Sequence, residues 1–163
     1  MLSPSLKAEI QKLWDAFWAG GIANPLTAIE QITYLVFLKR LDDLDDERRQ
    51  NAPQSGRTYH SIYDLPKIEG EPVNAKEERQ KKWRGDGYRW SHIKQLPAEE
   101  RYDHVRGPVF DWLKGIEGED RERMRDAVFL IPNASLLTKA VEILDKLFIP
   151  DRNQDTLGDV YEH

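Results

Sequence analysis

The chain has 163 residues and a formal net charge of −5; 33% of its residues are charged, 39% are hydrophobic and none is cysteine. These values indicate one globular domain with a real core, and they exclude disulfides and thiolate metal sites. No apolar run is long enough to cross a bilayer, and the N-terminus lacks a signal-peptide layout, so we expect a cytoplasmic protein. The negative charge argues against general attraction to nucleic acid but allows a local basic patch.

Two helices joined by a short turn are predicted at the start of the chain. The first begins at Ser3-Pro4 and ends at Gly20-Gly21. Asn24 caps the second helix, which contains the stretch Tyr34–Leu38, apolar on every side. A helix without a polar face must be covered from several directions, so this helix is predicted to be central. The short turn favours an αα-hairpin.

Proline and glycine punctuate residues 51–75, which predict a long irregular loop. Beyond it, a helix is predicted to begin at Pro97, and Gly107-Pro108 is predicted to divide it from the next. Another helix is predicted from Asp120 to Leu130, followed by a strongly amphipathic helix at 134–148. Together these elements predict an all-α fold, a compact multi-helix domain with a long central helix.

Patterns that carry catalysis are scarce. The four histidines form no metalloprotease motif, and no nucleophile elbow, P-loop or Rossmann glycine pattern occurs. The run of acidic residues at 42–47 could be imagined as a metal site, but carboxylates at adjacent helical positions diverge. We interpret this run as a solvated helix end. No catalytic, cofactor-binding or metal-binding residue is predicted in the chain.

The segment 76–94 has a different character from the rest of the chain. Seven Lys or Arg residues stand against three Asp or Glu residues, a net charge of +4, and Trp83, Tyr88 and Trp90 are interleaved with them. Cations neutralise phosphates and aromatic rings can stack on bases, so the segment is the candidate DNA contact. The alternative is that the rings anchor the core and the charges are solvated. The candidate contact residues are Lys81, Lys82, Arg84 and Arg89.

Residues 155–163 resemble the start of a capped amphipathic helix, with Leu157, Val160 and Tyr161 on one side. These three residues are candidates for contact with a partner. We expect residues 1–154 to form a helical N-terminal domain, and residues 155–163 to begin a helix that leads into a further domain.

Three stretches in this order resemble one known family. They are Leu13-Trp14 with Thr27–Asp43, then Arg89-Trp90-Ser91 with Ile93, and finally Asp155–Glu162. Together they resemble the N-terminal helical domain of the modification (M) subunit of type I restriction–modification systems, the HsdM family.

The resemblance implies a supporting role in DNA adenine-N6 methylation, in which a following domain binds S-adenosylmethionine and holds the flipped adenine. Neither the Gly-rich cofactor turn nor the Asn/Asp-Pro-Pro-Phe/Tyr motif of that domain occurs here, so this fragment is expected to bind no cofactor and to be inactive alone. The implied partners are double-stranded DNA, the specificity (S) subunit, a second M subunit and the restriction (R) subunit. The alternative is a stand-alone helical protein-interaction module.

Overall fold

The computed structural model describes residues 4–55, 59–116 and 121–147, and the regular elements in these ranges are all helical. In chain order they are α1 (Pro4–Ala19), α2 (Pro25–Ser55), α3 (Val73–Lys82), a 3₁₀ turn (Gly85–Tyr88), α4 (Trp90–Ile93), α5 (Ala98–His104), a π-helical turn (Val105–Val109), α6 (Phe110–Lys114), α7 (Arg121–Arg125) and α8 (Ala134–Leu147). The predicted all-α fold is confirmed. None of the described helices is long and apolar enough to cross a membrane.

The long helix α2 supplies the centre of the core, as its apolar stretch predicted. Leu35 and Leu38 are 1% exposed, and α4 and α8 pack against the helix. Its start is capped as expected, because the Oδ1 of Asn24 accepts a hydrogen bond from the Leu26 N–H at 2.9 Å. The helix runs through residue 55, so the predicted loop is irregular only over its described residues 59–72.

The first helix packs mainly against the last one. Ile10, Leu13 and Phe17 are fully buried, and the most extensive contact of α1 is with α8. The backbone approaches closely where α1 ends, since a Cβ added to Gly20 would lie 2.7 Å from a methyl carbon of Leu136. The short turn to α2 is present, but an αα-hairpin does not describe the main packing of α1.

The helix that begins after Pro97 is not divided at Gly107-Pro108, as we had predicted. The chain stays helical from residue 98 to residue 114, with a π-helical turn at Val105–Val109. Proline lacks an N–H, and its ring clashes with the carbonyl four residues earlier in α geometry. A wider turn relieves that clash, and π turns of this kind occur inside helices. The prediction was wrong because it assumed regular α geometry.

The predicted helix from Asp120 to Leu130 also ends early, since α7 stops at Arg125. After Arg125, the buried side chain of Gln31 provides hydrogen bonds in place of those that a continued helix would make. Its Nε2 donates to the Val128 carbonyl and its Oε1 accepts from the Leu130 N–H, both at 2.9 Å. The irregular segment therefore has backbone groups satisfied by α2. The last helix begins as expected, because the Oδ1 of Asn133 accepts from the Leu136 N–H at 2.9 Å.

Candidate nucleic-acid interface

Helix α3 lies on the surface and is tied to the preceding loop by Arg79. The Nε of Arg79 donates to Glu71 Oε2 at 2.7 Å, and its Nη2 donates to Glu71 Oε1 at 3.0 Å and to the Pro66 carbonyl at 2.8 Å. No residue of α3 is buried. The helix therefore presents its remaining cations to solvent.

Three of the four predicted DNA-contact residues belong to this exposed surface. Lys81, Lys82 and Arg84 are exposed, and no carboxylate within the described ranges forms a salt bridge with them or with Lys76. The Nη1 of Arg84 donates to the carbonyls of Lys81 and Trp83 at 2.9 and 3.0 Å, which places its guanidinium at the C-terminal end of α3. We call Lys76, Lys81, Lys82 and Arg84 the α3 cations.

The fourth predicted residue, Arg89, is 7% exposed and is held by carboxylates. Its Nη1 donates to Asp42 Oδ1 at 2.9 Å, its Nη2 to Asp45 Oδ2 at 2.6 Å and its Nε to Asp86 Oδ1 at 2.9 Å. Its guanidinium carbon also lies 4.3 Å from the centre of the Tyr63 ring. We call these five residues the Arg89 cluster. The side chain is thus buried and paired with carboxylates, unlike the exposed α3 cations.

The same cluster corrects our interpretation of the acidic run at 42–47 as a solvated helix end. Asp42 and Asp45, three residues apart on one side of α2, are 5% and 3% exposed. Asp42 also accepts from the Ser91 N–H at 2.9 Å, and Asp45 accepts from the Tyr59 hydroxyl. Buried carboxylates require such partners, and Arg89 could not be identified as one from local sequence. Asp46 is exposed, as the prediction required.

The pKa shifts in the Arg89 cluster favour the ionised forms of Asp45 and Arg89. Burial alone would raise the pKa of Asp45, but hydrogen bonds from Tyr59, Ser61 and Arg89 outweigh it and hold the pKa below its usual value. Burial would lower the pKa of Arg89, yet its bonds to Asp86, Asp45 and Asp42 raise it overall. Burial and the neighbouring Asp45 raise the pKa of Tyr59 to about 12, so Tyr59 remains a donor.

Beside α3 lies an open groove with a volume of about 1050 Å³, which we call the α3 groove. Two of the α3 cations, Lys76 and Arg84, line it together with Gln80, whereas Lys81 and Lys82 do not. The rings that line it come from the preceding loop and from the segment 83–104; they are those of His60, Tyr63, Trp83, Tyr88, His92 and His104. Cations and rings therefore share one concave surface.

Several of these rings belong to an ordered stack. Tyr63 lies on Trp112 at 5.2 Å between ring centres, Trp112 on Tyr88 at 5.2 Å, and Tyr88 on His104 at 6.4 Å, all nearly parallel. Trp83 meets Tyr88 edge-on at 5.7 Å. No sequence pattern indicated this stack, because its members are contributed by four separate parts of the chain.

The rings of the basic and aromatic segment lie in two different environments. Trp90 is a core anchor, 2% exposed, and its Nε1 donates to Asp145 Oδ1 at 2.9 Å. Trp83 and Tyr88 are half-buried and line the α3 groove. The partner-contact candidates Leu157, Val160 and Tyr161 lie outside the described residues.

Comparison with protein families gives one match. The model of the HsdM N-terminal domain matches residues 6–144, a range that includes α2, the Arg89 cluster and the α3 groove. Comparison with curated proteins and comparison with solved structures each returned no match.

Proposed function

Since the chain belongs to the HsdM N-terminal domain family, we propose that it clamps DNA and contacts neighbouring subunits within a type I restriction–modification methyltransferase. Domains of this family are N-terminal modules of the methyltransferase (M) subunit of such systems. The proposal concerns what this module contributes, namely DNA affinity and subunit contact.

The observation that supports DNA contact is the exposure of the α3 cations. A cation already paired with a carboxylate gains little from a phosphate, whereas a free Lys or Arg releases counterions from DNA when it binds. Lys76, Lys81, Lys82 and Arg84 are such free cations within the described part of the chain. Arg89 is excluded from the proposed contact set because Asp42 and Asp45 already hold it.

The proposal places this module in a larger reaction. A following domain would bind S-adenosylmethionine and methylate the N6 of an adenine flipped out of the duplex, because that amino group is not accessible inside the stack. The proposed partners are double-stranded DNA, the S subunit, a second M subunit and the R subunit, and the proposed location is the cytoplasm. The chain should transfer no methyl group by itself, which a methyltransfer assay with S-adenosylmethionine would check.

The proposal is tested by measuring how the chain binds a labelled duplex by fluorescence anisotropy. Four phosphate contacts would give a logarithmic salt slope of about −3.6, so affinity should fall about a hundredfold between roughly 50 and 200 mM salt. A lack of binding at low salt would contradict direct clamping. In that case a pull-down with M and S subunits would test the remaining proposal, that the domain acts through subunit contact.

A further inference from the structure

We propose that the α3 groove binds unstacked bases of single-stranded DNA. This inference rests on the proposed function, because it assumes that the α3 cations contact a DNA backbone. The groove, at about 1050 Å³, slightly exceeds the range of roughly 300–1,000 Å³ that is typical of ligand clefts. It is therefore large enough to admit bases and is not restricted to surface phosphates.

The walls of the groove have the chemistry that recognises a free base. Rings of Trp83, Tyr88 and His104 line it, and aromatic rings bind bases of any sequence by stacking on their faces. Tyr88 is already stacked on Trp112 and His104, whereas Trp83 has no parallel ring neighbour among the described residues and offers a ring face to a base. In a duplex both faces of each base are covered by neighbouring bases, so a ring inside a concave groove has no base face to contact. An unpaired strand offers those faces.

The rings are held in place before any ligand binds. Tyr88 is stacked on Trp112, and His104 contacts the Gly87 carbonyl through Nε2 at 2.6 Å. The Nε1 of Trp83 donates to the Tyr63 carbonyl at 2.7 Å. Fixed rings lose little conformational entropy when a base stacks on them, which favours binding.

The charges around the groove suit a strand whose bases point inward. Lys76 and Arg84 line it, and neither forms a salt bridge with a described carboxylate, so both charges can neutralise phosphates. Two carboxylates line it as well, but both are engaged within the protein. Asp64 accepts from the Ser61 N–H at 2.9 Å, and Asp86 accepts from the Nε of Arg89 at 2.9 Å. Cationic grooves that carry aromatic rings are the common design of single-strand binding sites.

The test compares a 12-nucleotide oligothymidylate with a duplex of the same length on the 163-residue chain, at matched salt. We expect the single strand to bind at least about tenfold more tightly, since stacking of even one base has an effect of this size. Trp83→Leu should remove about tenfold of the single-strand affinity, whereas Trp83→Phe, which keeps an aromatic ring, should retain most of it. Both variants lose the bond from the indole N–H to the Tyr63 carbonyl, so that loss cancels in the comparison. Duplex binding through the α3 cations should change less than about threefold in Trp83→Leu.

Photo-crosslinking keeps the inference testable if Trp83→Leu does not fold. Oligothymidylate that carries 5-iododeoxyuridine should crosslink the unaltered chain at Trp83, Tyr88 or His104. Duplex binding that equals or exceeds single-strand binding, with crosslinks absent from these three residues, would overturn this inference and leave the proposed clamp intact. Single-strand binding without duplex binding would support the inference and contradict the duplex clamp. Binding of neither DNA would overturn both.

Discussion

The Nη2 of Arg89 donates to Asp45 Oδ2 at 2.6 Å, which joins residues 44 positions apart in the chain. The bond links the residue that follows the 3₁₀ turn Gly85–Tyr88 to the C-terminal half of α2. Tyr88, the residue before Arg89, provides a ring in the α3 groove. The Arg89 cluster therefore connects the core helix to the surface proposed to bind DNA, and it sets the position of that surface.

Removal of the Arg89 side chain should destabilise the domain strongly. Arg89→Ala leaves Asp42 buried without a cation and Asp45 with only the longer contact to Arg49 at 3.5 Å, and breaking a buried ion pair in this way costs about 3–5 kcal/mol. Urea denaturation followed by circular dichroism would measure this loss. Arg84→Ala is the matched control, because Arg84 is exposed, and it should cost less than about 1 kcal/mol. Equal stability of the two variants would contradict the structural role of Arg89.

The stability of the domain should fall in acid partly through Asp45. Because the pKa of Asp45 is lowered in the folded state, its contribution is present above the unfolded value of about 3.9 and is lost as pH falls through the folded value. Asp45→Asn should reduce the difference in unfolding free energy between about pH 6 and pH 3 relative to the unaltered chain. Urea denaturation at both pH values measures that difference.

Asp43 provides a control of opposite sign for this pH dependence. Burial raises the pKa of Asp43, against the effect of Lys39, so its contribution to stability increases as pH falls. Asp43→Asn should therefore steepen the loss of stability in acid. If both variants changed the pH dependence in the same direction, the opposite pKa shifts assigned to Asp45 and Asp43 would be wrong.

Charge reversal at the end of α3 should weaken duplex binding without regard to DNA sequence. Lys81→Glu/Lys82→Glu removes two proposed phosphate contacts, so the logarithmic salt slope should become shallower by roughly 1.8. Anisotropy titrations over a range of salt would measure this change. Lys7→Glu/Lys139→Glu alters the net charge equally at exposed lysines of α1 and α8. An equal effect of both pairs would show that only net charge matters.

Gln31 should contribute to stability through its bridge to the segment after α7. Gln31→Ala removes the bonds to the Val128 carbonyl and the Leu130 N–H, which are only partly buried, so we expect a loss of about 0.5–1.5 kcal/mol for each bond. Thermal and urea unfolding would measure the loss. Gln11→Ala removes an exposed hydrogen bond to Asp15 and should cost only a few tenths of a kcal/mol. A harmless Gln31→Ala would mean that the segment is held by other contacts.

Alanine substitution at the two glycines of the 3₁₀ turn should reduce the stability of the domain by different amounts. A Cβ at residue 85 would lie 1.7 Å from the Tyr63 carbonyl oxygen, so Gly85→Ala must displace backbone and should cost more than about 2 kcal/mol. At residue 87 the nearest atom, in His104, is 3.8 Å away, so Gly87→Ala should cost less than about 1 kcal/mol. Melting temperatures of the two variants provide the comparison. Similar melting temperatures of the two variants would contradict the close approach of Gly85 to the Tyr63 carbonyl.

Much of the fold could be predicted from the sequence because helix formation and capping depend on neighbours within a few residues. Asn24 caps α2 as predicted, the last helix begins at residue 134 as predicted, and the apolar stretch of α2 is central. The errors at Gly107-Pro108 and beyond Arg125 have tertiary or geometric causes. A π turn accommodates the proline, and the side chain of Gln31 replaces helical hydrogen bonds.

The same distinction between local and tertiary causes applies to the candidate site. Sequence alone determined the helical class, the family resemblance and the unusual basic and aromatic character of residues 76–94. Tertiary structure alone decided which of those residues are available, because it paired Arg89 with Asp42 and Asp45 and left Lys81, Lys82 and Arg84 exposed. The physical reason is that charge and periodicity are local properties of a chain, whereas burial and ion pairing depend on which distant segments pack together.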